Sequence, residues 1–144
     1  MSYAIAADLQ RAVFAALRRD PGVTGSVGEA IYDVVPPGKI PSTYVSLGPE
    51  EVRDHSDKTG RGARHDFTIS VVSDAAGFMT AKEAAAAISD ALVDAELPLA
   101  RGRLVSLSFL RAKALRDRDA QLRRIDLRFR AHVEDYGPIS PETA

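Results

Sequence analysis

Asp54, His55, Asp57, His65 and Asp66 are the residues whose types and spacing could do chemistry in this 144-residue sequence. If the polar turn between them closes a hairpin, His55 and His65 come near each other with carboxylates alongside, a donor set suited to a divalent metal such as zinc. A metal-dependent reaction at His55 and His65 is therefore one reading. Ligands on either side of a flexible turn are poorly preorganised, so a solvated polar hairpin without metal is the preferred one. Other catalytic patterns are missing. The chain has no glycine-rich loop running into Lys-Ser/Thr, no Gly-x-Ser-x-Gly elbow and no paired-histidine metal motif. It also has no cysteine, which removes thiolate nucleophiles, cysteine-ligated zinc and disulfides together. No catalytic residue, metal or cofactor is assigned.

Two charged sets remain. Arg124, Asp126, Arg128, Arg130, His132 and Glu134 alternate with apolar residues, which lines them along one side of a strand. Such a ladder could neutralise phosphates, but Asp126 and Glu134 interrupt it, and a formal net charge of −1 lacks the basic excess of a nucleic-acid binder. A solvated face, or half of a subunit interface whose charges pair with a neighbour, fits better. Lys58, Arg61 and Arg64 with Asp57 form the second set, on the polar turn.

These residues need elements to hold them. Ile5, Leu9, Val13 and Leu17 recur every fourth position, an amphipathic helix ended by Asp20-Pro21-Gly22. Residues 22–41 are rich in glycine and proline and read as a loop carrying one short strand at 31–35. Residues 43–47 form a strand, which residues 50–55 continue either as strand or as a bulged extension. Residues 56–63 have the composition of a mobile hairpin tip. The return strand alternates Phe67, Ile69 and Val71 with Asp66, Thr68 and Ser70. Thr80-Ala81-Lys82-Glu83 has capping-box spacing, and the helix it opens has a small-residue face at Ala84, Ile88, Ala91, Leu92 and Ala95. Val105, Leu107 and Phe109, then Ile125, Leu127, Phe129, Ala131 and Val133, give two strands joined as a hairpin at residues 116–119. The expected fold is α+β, a mixed or antiparallel β-sheet with two α-helices packed on one face.

A chain of this length fits one domain, which would hide roughly 70% of its unfolded surface. We place that domain at residues 1–136 and a flexible C-terminal tail at 137–144. No apolar run approaches the ~20 residues needed to cross a bilayer, and no basic leader precedes Asp8, so assembly in the cytoplasm is expected.

Residues 9–134 taken together resemble a bacterial family, first described as a domain of unknown function, that includes tail-completion or tail-terminator proteins of long-tailed phages and gene transfer agents. The likeness lies in the proline-glycine segment running into Tyr44-Val45-Ser46-Leu47-Gly48 and in the polar turn 54–62. It continues through Arg64-His65-Asp66-Phe67-Thr68-Ile69-Ser70-Val71-Val72-Ser73, the helix 81–95 and the closing strand 124–133. The resemblance implies a homohexameric ring that caps the tail tube and meets a head-tail connector or stopper protein. In it, double-stranded DNA only passes through the channel, no membrane takes part, and no catalytic residue carries over. The chain would then belong to the tail or neck of the particle. Asp54, His55, Asp57, Lys58, Arg61, Arg64, Arg128 and Arg130 are the candidate interface residues. A small-ligand-binding or regulatory α+β module that oligomerises is the alternative.

Overall fold

A computed structural model of the chain describes residues 3–58 and 60–138. Most of the segment assigned to a tail therefore lies outside the described residues. Helix α1 spans Ala6–Arg19 and buries Leu9, Val13 and Leu17 along the predicted stripe. It ends at Asp20, whose backbone is extended (φ −77°, ψ 120°), the geometry that the following proline imposes.

The same Asp20 starts a helix that the sequence reading placed in a loop. Its carboxylate accepts a hydrogen bond from the Val23 N–H at 3.0 Å, and α2 runs over Pro21–Val27 with proline in its first turn. Two glycines and three β-branched residues make this segment a poor helix by propensity. The cap and the burial of Val23 and Val27 hold it instead. A Cβ at Gly22 would crowd the capping Asp20 carboxylate at 3.1 Å, and would meet Ala87 of the following helix at 3.5 Å, an ordinary packing contact.

Strand β1 is only Ile31–Tyr32, paired parallel with β2 (Thr43–Asp54). Residues 50–54 do continue β2, past an irregularity between Leu47 and Glu50 that takes up Gly48 and Pro49. Strand β3 (Arg61–Ser73) returns antiparallel, and α3 covers Met79–Leu92. The capping box is not formed. Helix α3 starts one residue before Thr80, with Phe78 at the cap position and no side-chain cap. Strands β4 (Gly102–Asp117) and β5 (Leu122–Asp135) make the expected hairpin.

The sheet is five-stranded, ordered β1-β2-β3-β5-β4, and mixed only through the β1–β2 pair. Three helices, not two, pack on one face. Ile69, Val71, Leu127 and Phe129 point into that layer with Leu17, Ile88 and Leu92. The class expected from the sequence holds, and the extra helix is the segment whose propensity hid it.

Candidate assembly surfaces

The face of the sheet turned away from the helices is built in rows, because antiparallel register places the alternate residues of neighbouring strands side by side. Arg53, Arg64 and His132 form one row, and Glu51, Asp66 and Arg130 the next. Thr68, Arg128 and Arg111 follow, then Ser70, Asp126 and Lys113. The ladder read from β5 is thus real, and most of it is answered within the chain. Arg130 grips Asp66 through two hydrogen bonds of 2.8 and 3.0 Å, which hold the Asp66 carboxyl below its usual range and raise the guanidinium. Arg124 reaches Asp126 at 2.7 Å, and the same carboxylate accepts from the buried Ser70 hydroxyl at 2.6 Å. Arg103 meets Glu134 at 3.2 Å and Arg128 stands 3.9 Å from Glu51. Among the described residues, Arg64, Arg111 and Lys113 make no ion pair on this face.

At one end of the sheet, the β2–β3 turn carries Asp54, His55, Asp57, Lys58 and Arg61, all exposed. Its own polar groups brace it. The His55 N–H donates to the Gly62 carbonyl at 2.8 Å, the Asp57 carboxylate accepts from the Gly60 N–H at 2.9 Å, and the Ser56 hydroxyl donates to Asp54 at 2.7 Å. The turn and the end of β5 enclose a groove of ≈ 420 Å³ between His55, Arg61, His132 and Tyr136.

The structure separates the two histidines on which a metal site would depend. His55 packs edge-on against His132, ring centroids 4.5 Å apart, on the face away from the helices. His65 pairs in register with Val52 and Ala131 and points the other way, fully buried in the core. Strand alternation is the reason. His55 lies opposite Gly62, three positions from His65 along β3, so the two side chains stand on opposite faces, which proximity in sequence did not reveal. His132 is the neighbour that spacing could not find, since it arrives through the β3–β5 pairing. Among the described residues no group of three or more His, Asp or Glu side chains could hold a metal ion. For the small-ligand alternative, the cavity walled by Leu9, Val13, Leu47 and Phe67 measures ≈ 210 Å³, below the ~300–1,000 Å³ of ordinary ligand sites, while the groove beside His55 and His132 falls within that range.

His65 has a measurable consequence for stability. Among the described residues neither ring nitrogen has a hydrogen-bond partner, and burial lowers its pKa, with nearby Glu50 and Asp66 opposing the shift. Because the folded pKa lies below the unfolded value of about 6.5, stability is greatest above that pH and falls as the pH drops from there toward the folded pKa. Asp66 acts in a separate window, beginning only below the ordinary aspartate value of 3.8. His65→Leu is expected to raise the unfolding free energy by about 1–2 kcal/mol, by removing an unpaired buried polar ring. It should also flatten the loss of stability that sets in as the pH falls below about 6.5, which urea titrations at several pH values would read. An unchanged pH slope would show that the ring is satisfied in solution.

Strand β4 is the other unusual surface. Only Leu107 on it is buried, and every residue from 108 to 121 is exposed. Register irregularities at Leu104/Ser106 and Phe109/Arg111 break the simple alternation expected of Val105, Leu107 and Phe109. Leu107 keeps the core side, while Val105 and Phe109 are 40% and 44% exposed and Leu110 and Leu115 are each 37% exposed. The run Arg111-Ala112-Lys113-Ala114, which has no large apolar residue, was the sequence signal for this exposure.

Comparison with known proteins adds three findings. The sequence profile of a family described as Tail completion protein gp17 matches residues 11–134. A solved structure described as the virion of a native gene transfer agent (GTA) particle contains a chain 65% identical to this one. The two superpose with a TM-score of 0.87, over 92% of this chain and 99% of that one. Comparison with curated proteins finds no match.

Proposed function

The chain belongs to the tail completion protein gp17 family, and from that premise we propose that it is a structural subunit of a phage or gene-transfer-agent particle. Copies of it join side by side into a ring, a homohexamer by family likeness, that ends the tail tube and presents a docking surface to the head-tail connector. Its work is contact between proteins, with no bond-making step. The exposure of β4 carries this reading. A sixteen-residue edge strand with four exposed large apolar side chains leaves open backbone groups and apolar surface that a lone soluble domain normally covers.

The outer face supports the same reading. Its arginines are largely engaged by carboxylates of the same chain, so a channel lined by it would let DNA pass without gripping phosphates. The turn at Asp54, His55, Asp57, Lys58, Arg61 and Arg64 stands at one end of the sheet, suited to meeting the tail tube or a neighbouring subunit. Arg128 and Arg130 lie deeper in the face, where they would contribute mainly by holding its shape.

Removing the chain from a producing strain tests the proposal. Tails of uncontrolled length without attached heads are expected, and added purified protein should restore joining. Particles of normal tail length that lack this polypeptide at the junction of neck and tube would refute it.

A further inference from the structure

The β4–β5 hairpin ends in a short exposed ribbon, Asp117 to Leu122, that extends past β3, whose pairing with β5 stops at Ser73 and Arg123. Ribbons of that kind are marginal in water unless something packs on them. Arg111, Lys113, Arg116 and Arg118 outnumber Asp117 and Asp119 along the exposed stretch that leads to this end, which leaves it net positive. Near the opposite end of β4 lies a groove of ≈ 690 Å³ between the α3–β4 connection and the start of the strand. Buried Leu97 and half-buried Leu99 contribute to its wall, exposed Asp94 and Glu96 supply negative charge at its side, and Arg103, which also lines it, is paired with Glu134.

We propose that the ribbon end of one copy docks in the Asp94–Glu96 groove of the next, and that this contact joins the subunits of the ring. The inference rests on the ring reading above and specifies its joint. The occupant is a second copy because the two surfaces match in charge and cannot meet within one chain. From Ser106 to Arg116 the strand runs roughly 30 Å at ~3.3 Å per residue, and an extended strand does not fold back on itself. Each copy therefore offers one donor end and one acceptor groove, a head-to-tail contact that propagates and can close into a ring. Apolar side chains on the ribbon, Leu115 among them, would then be covered along with its charges.

The absence of cysteine makes the test clean. In the otherwise native chain, Glu96→Cys and Arg118→Cys combined are expected to give, on mild oxidation with diamide, a reducible ladder of covalent oligomers extending beyond the dimer. Either substitution alone should stop at the dimer or below. Charge reversal supplies an independent reading. Arg116→Glu with Arg118→Glu should weaken self-association at least tenfold, and adding Glu96→Arg should recover most of it. Both positions are exposed, and circular dichroism checks that the fold is kept. Rings seen by electron microscopy with no ladder and no charge effect would overturn this joint and leave the ring reading standing. A ladder ending at the dimer would replace the head-to-tail contact with a reciprocal pair. A wild-type chain that stays monomeric at high concentration and in assembling particles would overturn both.

Discussion

Replacing Phe129 by alanine is expected to cost the domain about 3–5 kcal/mol, the range for deleting a fully buried aromatic ring. Phe129 is 0% exposed on β5, the strand that pairs on both sides with β3 and β4. Phe67 stacks against it with centroids 5.8 Å apart, and Phe109 meets it edge-on at 5.9 Å. The cavity left behind has little chance of collapsing, because three strands fix the backbone around it. In a domain of this size the melting temperature should fall by roughly 10 °C or more, readable by differential scanning calorimetry. Phe109 is 44% exposed and touches the same ring from the edge. Phe109→Ala should therefore cost much less in the free domain, and more of its effect should appear in assembly. Equal losses for the two substitutions would mean that β4 is covered in the isolated chain.

Gly102→Ala is expected to be nearly as damaging, for a different reason. A Cβ at this first residue of β4 would lie 2.0 Å from the Glu134 carbonyl oxygen and 3.3 Å from Ile5 Cδ1. Overpacking typically costs about 1–3 kcal/mol when a side chain can yield. Here the obstacle is the backbone of the paired strand, so a loss of about 3 kcal/mol or more is expected, with the start of β4 pushed off β5. Urea unfolding would show a lower midpoint, and hydrogen exchange would show faster exchange at the start of β4. The displaced segment borders the Asp94–Glu96 groove. Any protein that stays folded should accordingly fail to form the joint inferred above. Wild-type stability would mean that Gly102 has more room than the strand register gives it.

The parts of this protein legible in its sequence are those that depend on local spacing. The fourfold recurrence of Ile5, Leu9, Val13 and Leu17 and the alternation along β3 and β5 follow from the periods of helix and strand, and the structure buries those residues. The outer charge ladder followed from the same alternation. Helix α2 escaped because its propensities are poor and its support comes from Asp20 and from packing on α3. The capping box failed because spacing shows only that a cap can form, while α3 begins a residue before the Thr80 that would supply it.

Its sequence alone determined the class of the fold and the strand hairpin at its end. Periodicity and residue chemistry are properties of short stretches, so they need no partner strand to be read. Tertiary structure alone decided that His55 faces His132 while His65 is sealed in the core, that Arg130 is engaged by Asp66, and that β4 is bare. Each of these depends on which distant strand lies alongside and in which register. A shift of one residue reverses the face of every side chain on a strand, and that choice is made by the packing of the whole domain.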